Sequence, residues 1–222
     1  MKTEWLHYNE NKWLIVFCNG WGMDSTPFRP LLSENYDVLV CYDYSEDAKD
    51  HDIRKLAEIY ERIHLIGWSM GVAYAQKYFA DVADCFDKTI AVNGTLYPID
   101  EMLGIPEDIC KATLHALNEE TQLKFYRRMC RSSSAFETFM ANKPQRTVND
   151  QKDELAAIIA DLETTHPQHS LFKDVIIGLK DLVIPAENQL RFWKKGNVKK
   201  LQCGHFPFYL WKSWDELLEY AC

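Results

Sequence analysis

The chain has 222 residues, 47% of them hydrophobic and 13% aromatic, with a formal net charge of −8. That length fits one domain with a substantial core, and the apolar content excludes a chain too polar to offset its ordering entropy. The acidic balance argues against non-specific nucleic-acid binding, which needs a basic footprint.

In chain order, short β-branched runs alternate with amphipathic stretches, the signature of an α/β protein: a mostly parallel sheet flanked by helices. Strands are expected at 4–8, 13–18, 36–41, 63–67, 88–92, 174–178 and 198–202, and helices at 50–61, 70–79, 186–194 and 211–220. The run 13–18 (WLIVFC) does not alternate in polarity, as expected of a central strand covered on both faces. It is also far too short to span a bilayer, and the start of the chain lacks the basic and small-residue pattern of a signal peptide. The expectation is a cytoplasmic protein that engages no membrane. Residues 98–170 differ: they carry helical patterns, at 119–140 and 150–162, and no convincing strand. Within a single domain spanning 1–222, this insertion reads as a helical cap, or lid, over the strand ends where α/β sheets bind ligands.

Seven cysteines, at 18, 41, 85, 110, 130, 203 and 222, form no C-x-x-C pair and no even disulfide framework. They read as reduced residues, and Cys18, Cys41 and Cys203, in or beside strands, as small core hydrophobes.

The strongest chemical signal is Gly67-Trp68-Ser69-Met70-Gly71, between an apolar strand and a helical pattern. G-x-S-x-G in that setting is a nucleophile elbow, a strained turn that holds the serine hydroxyl clear of the sheet. Serine needs a base, and the base an orienting acid, which in this arrangement follow in the order acid, then histidine. Asp181 comes just past the strand at 174–178, on the same sheet edge as the elbow, whereas Asp174 begins that strand and lies at the wrong edge. His205 follows the last strand in Cys203-Gly204-His205-Phe206-Pro207. His7 and His51 precede the serine, His64 lies in the elbow's own strand, and His115, His166 and His169 fall in the insertion.

An acyl-transfer intermediate also needs two donors for its oxyanion. The amide of Met70 is one; the amide of Trp21, in Asn19-Gly20-Trp21-Gly22, is the other. This loop is no nucleotide fingerprint, because G-x-G-x-x-G would need glycine at Ser25. No metal site is expected, since His166-Pro167-Gln168-His169 reads as a polar loop.

With these residues in view, the chain resembles the BioG-type (DUF452-like) pimeloyl-[acyl-carrier protein] methyl ester esterases of the α/β-hydrolase superfamily. The resemblance rests on Phe17-Cys18-Asn19-Gly20-Trp21-Gly22-Met23-Asp24, the Gly-Trp-Ser-Met-Gly elbow and the short chain. Asn19 stands where most relatives of the fold carry histidine, a departure that fits this type. The resemblance implies a cofactor-free serine carboxylesterase of biotin biosynthesis that removes the methyl ester from a carrier-bound pimeloyl chain. An acidic carrier protein would need a basic dock on this acidic chain. Residues 121–152 carry seven Lys or Arg against Glu137 and Asp150, and Lys124, Arg127, Arg128 and Arg131 are the docking candidates through their i,i+4 spacing. Two alternatives stay open: a general short-chain carboxylesterase or thioesterase acting on a free small molecule, and a non-catalytic binding module on the same fold.

Overall fold

The structure, a computed structural model, describes residues 1–46, 52–162, 167 and 169–221. Seven strands form one sheet: β1 (Lys2–His7), β2 (Trp13–Cys18), β3 (Tyr36–Tyr42), β4 (Arg62–Trp68), β5 (Lys88–Val92), β6 (Asp174–Gly178) and β7 (Asn197–Leu201). Their order is β1-β3-β2-β4-β5-β6-β7, and all pairs are parallel except β1 with β3. The edge strand β1 is bulged between Trp5 and His7. At the opposite edge β7 carries Lys199 and Lys200.

The crossovers are helical: α1 (Ile53–Ile59) after β3, α2 (Met70–Phe79) after β4, α7 (Ala186–Phe192) after β6. Between β5 and β6 come α3 (Glu107–Ala116), α4 (Glu119–Cys130), α5 (Ser133–Ala141) and α6 (Val148–Leu162), and α8 (Trp214–Ala221) ends the described chain. No helix among the described residues is long and apolar enough to cross a membrane.

Strand β2 shows why the sheet is buried on both faces. Its side chains point alternately to opposite sides, so Ile15 and Phe17 enter one core with Phe28, Trp68, Phe208 and Trp214. Leu14, Val16 and Cys18 enter the other, with Ile63, Leu65 and Trp193. Each such side chain contributes roughly 1.5–3 kcal/mol when fully buried. A third cluster joins Trp21, Met70 and Tyr74 to Leu155, Ile158 and Ile159 of α6, fastening the inserted helices onto the strand ends.

Two expected helices are corrected by capping chemistry. The pattern at 119–140 is not one helix: Arg131 adopts φ 63° and the Ser132 side chain accepts from the Ala135 amide, so α4 stops and α5 begins. The last helix starts at Trp214 rather than 211, because the Ser213 hydroxyl accepts from the Glu216 amide and Phe208–Leu210 forms a short 3-10 turn instead. For the helix expected at 50–61, Asp52 caps α1 by accepting from the Arg54 amide, while Asp50 lies outside the described residues. So do His166 and Gln168 of the expected polar loop, and His51 and Cys222.

His64 of β4 is 3% exposed, and its Nδ1 has no hydrogen-bond partner among the described residues. Burial pulls its pKa down to about 4, with Asp87 opposing. An unfolded histidine titrates near 6.5, so the unfolded chain takes up this proton first. Stability linked to His64 is therefore fully present above pH ~6.5 and is lost as pH falls toward ~4, by about 3 kcal/mol. Urea unfolding at pH 7 and pH 4.5 should show a smaller drop for His64→Gln than for the wild type. Equal drops would mean that His64 is not the group being protonated.

Candidate active site

The elbow forms where β4 runs directly into α2. Ser69, between them, adopts φ 58° and ψ −127°, a conformation a side-chain-bearing residue rarely takes. Its amide donates to Val92 of β5 at 3.0 Å. Gly71 lies against the end of β2, where a Cβ would stand 2.2 Å from the Cys18 carbonyl oxygen. Glycine is required there for the first turn of α2 to pass over the strand.

Asp181 lies in the turn after β6, its amide donating to the Gly178 carbonyl at 3.0 Å. His205 lies after β7. The structure brings both to Ser69: His205 Nε2 is 2.8 Å from Ser69 Oγ, and His205 Nδ1 is 2.7 Å from Asp181 Oδ2. All three are buried, Ser69 at 5%, Asp181 at 3% and His205 at 1% exposed. With Nδ1–H donated to the carboxylate, the Nε2 lone pair faces the serine hydroxyl, the tautomer a general base needs.

Further residues hold these three, and local sequence patterns do not reveal them. Gln189 of α7 donates to Asp181 Oδ2 at 2.8 Å, and the amides of Val183 and Ile184 donate to Oδ1 at 2.8 and 3.2 Å. Asn93, at the end of β5 with φ 44°, accepts from the Gly178 amide at 2.6 Å and donates to the Gly204 and His205 carbonyls at 3.1 and 2.9 Å. The Trp68 indole donates to the same His205 carbonyl at 2.9 Å. Asn93 thus ties together the loops that carry the aspartate and the histidine. Its one sequence signal, asparagine before Gly94 at a strand end, reads only as a turn.

The loop after β2 closes the other side. Asn19 is fully buried, donates to the Asp24 carbonyl at 2.9 Å and accepts from the Gly20 amide at 2.8 Å. The Trp21 indole donates to the Gln151 carbonyl of α6 at 2.7 Å. Gly20, Trp21 and Met70 line a slot with Ser69 and His205. The remaining wall is mostly apolar, with Ile105, Phe125, Met129 and Leu155 contributed by residues between β5 and β6. Arg128 also lines this slot.

The four basic candidates stand differently from one another. Lys124 pairs with Glu120 at 2.6 Å, and the Arg127 guanidinium lies 4.8 Å from the Phe136 ring centroid. Arg131 caps α4 and packs beside Gly204, where a Cβ would meet its Cγ at 2.5 Å. All four are exposed at the surface.

Sheet order, elbow and the buried serine–histidine–aspartate chain define an α/β-hydrolase. Several hydrolase structures share this fold, including carboxylesterases of Nitrososphaera gargenis at TM-score 0.66 and 14% identity, covering 99% of this chain and 92% of that one. The chain belongs to the BioG family: the family described as Pimeloyl-ACP methyl esterase BioG matches residues 1–217. A crystal structure of BioG from Haemophilus influenzae aligns at TM-score 0.88 and 31% identity, over 98% of this chain and 99% of that one. A malonyl-[acyl-carrier protein] O-methyltransferase of Bacteroides fragilis is 43% identical over 194 residues, 86% of this chain. This chain spans 39% of that relative's length.

Proposed function

We propose that the protein is a serine carboxylesterase that hydrolyses the methyl ester of pimeloyl-[acyl-carrier protein] in biotin biosynthesis. The observation that carries this reading is the hydrogen-bonded line from Ser69 through His205 to Asp181, set beside a mostly apolar slot in a chain of this family. Ser69 attacks the ester carbonyl as His205 takes its proton, and the Trp21 and Met70 amides stabilise the oxyanion. Methanol leaves with a proton from His205; water, activated by the same imidazole, then releases the acid from Ser69. This chemistry requires no cofactor.

In this reading α3–α6 form the cap. An apolar slot suits a linear acyl chain with its methyl ester innermost and its thioester near the mouth, where reach alone spares the thioester. The Bacteroides relative is named for methylating an acid on a carrier protein; removing such a methyl group is the complementary activity. The cysteines among the described residues are free, which suits a reducing compartment, the cytoplasm.

Lys124, Arg127, Arg128 and Arg131 form the basic face offered to an acidic carrier protein. Reversing charge at Arg127 and Arg131 together (Arg→Glu) should lower kcat/KM for the carrier-bound ester about 10-fold at low salt. Turnover of p-nitrophenyl acetate should stay unchanged. Equal loss on both substrates would point to damage around Phe136 and Gly204 instead.

The deciding experiment is hydrolysis of pimeloyl-[acyl-carrier protein] methyl ester, with p-nitrophenyl acetate in parallel. Ser69-dependent release of the free carboxylate with the thioester intact is expected. Turnover of the small ester alone would make this a general esterase, and turnover of neither would leave a binding module.

A further inference from the structure

Glu154 of α6 is fully buried, outside the serine–histidine–aspartate line. A carboxylate so placed is costly unless paired and hydrogen-bonded. Its partners are specific. Oε2 accepts from the Gly22 amide at 2.9 Å and from the Arg146 guanidinium, and Oε1 accepts from the Tyr44 amide at 3.1 Å. Arg146 also reaches Asp43 at 3.2 Å, and Asp43 pairs with Lys2 at 2.7 Å.

Gly22 belongs to the loop that carries the Trp21 amide, and it adopts φ 76°, where a side chain would be strained. The neighbouring Trp21 is itself tied to α6 through its indole and the Gln151 carbonyl. Gln151 and Glu154 are three residues apart and share a helix face. Two successive loop residues are therefore gripped by one face of α6.

We infer that Glu154, paired with Arg146, is a positioning residue that holds the 19–24 loop with the Trp21 amide aimed at the developing oxyanion. The inference rests on the esterase reading above. Glutamine is a poor substitute because every partner of Glu154 is a donor. Its NH2 group must face the Gly22 amide and Arg146, or else the Tyr44 amide, so one side of the grip opens. Burial pushes the Glu154 pKa up, while Arg146 and the two amides oppose it.

Donors pre-aimed at an oxyanion act mainly in the transition state, and losing one costs roughly 10²–10³ in kcat. A loosened loop misplaces the donor without removing it. Glu154→Gln is therefore expected to lower kcat about 30-fold per active site titrated with a fluorophosphonate, with KM within about twofold. Affinity for a trifluoromethyl ketone, which forms an oxyanion on serine, should fall by the same factor as kcat/KM. A purely structural role would reduce the titratable fraction and the melting temperature while leaving kcat per titrated site intact, and that result overturns the inference. If Glu154→Gln does not fold, Arg146→Met serves: a fall in kcat with KM held supports the inference, and unchanged kcat overturns it. Wild-type protein inactive on every ester would defeat the esterase reading; an active wild type with an equally active Glu154→Gln would defeat the positioning role alone.

Discussion

Ser69→Ala is expected to lower kcat on the carrier-bound methyl ester by about 10⁴-fold or more, with the protein still folded. The buried hydroxyl lies 2.8 Å from His205 Nε2, so in the proposed mechanism nucleophile and base act as one unit. Neither does its work without the other. His205→Ala should therefore cost about as much, and the double variant should be no slower than either single one. Rates for all three on one substrate, beside the uncatalysed rate, check this. Activity of Ser69→Ala within tenfold of wild type would remove the serine from the chemistry. Losses that multiply in the double variant would show two independent contributions.

Asp181→Asn should fold, less stably by about 1–2 kcal/mol, and lose about 10³–10⁴-fold in kcat. The reason lies in the aspartate's four donors. Oδ1 accepts from the Val183 and Ile184 amides, so an asparagine there turns its carbonyl toward them. Its NH2 group then faces His205 Nδ1 and Gln189. Gln189 can present its Oε1, which has no hydrogen-bond partner among the described residues, by a flip of its amide, at the cost of the bond its NH2 group donates to the Ile184 carbonyl at 2.8 Å. Histidine also adapts, but by accepting at Nδ1, which moves its proton to Nε2 opposite Ser69. The base is then occupied. Thermal melting together with kcat tests this: a folded, inactive variant is the expected result. A folded variant with near-normal kcat would show that Asp181 does not set the tautomer.

The sheet and the central chemical line were legible in the sequence because local patterns carry them. The strands at 88–92 and 174–178 and the helix at 70–79 agree in their bounds with β5, β6 and α2. An elbow is a local signature, and chain order relative to strand ends selected Asp181 and His205, which the structure brings within hydrogen-bond distance of each other. Breaks set by a single dihedral were harder to read. Arg131 sits in an unbroken amphipathic pattern, yet its left-handed backbone and the Ser132 cap divide α4 from α5. The supporting shell was not legible. Asn93 and His205 are 112 residues apart, and Glu154 and Gly22 are 132 apart, so no periodicity links them. Such contacts arise only when the sheet stacks the strand ends side by side.

The two outer strands carry a further consequence. An unpaired strand invites another chain to extend the sheet, and proteins discourage this with bulges and lysines. Here β1 is bulged at Trp5–His7, and β7 presents Lys199 and Lys200, with the Lys199 ammonium drawn 2.6 Å from the Tyr220 carbonyl oxygen. A second copy arriving edge to edge would meet a kinked ribbon on one side and the exposed Lys200 on the other. Continuous sheet growth, the route to aggregation in many parallel-sheet proteins, is thereby disfavoured at both margins.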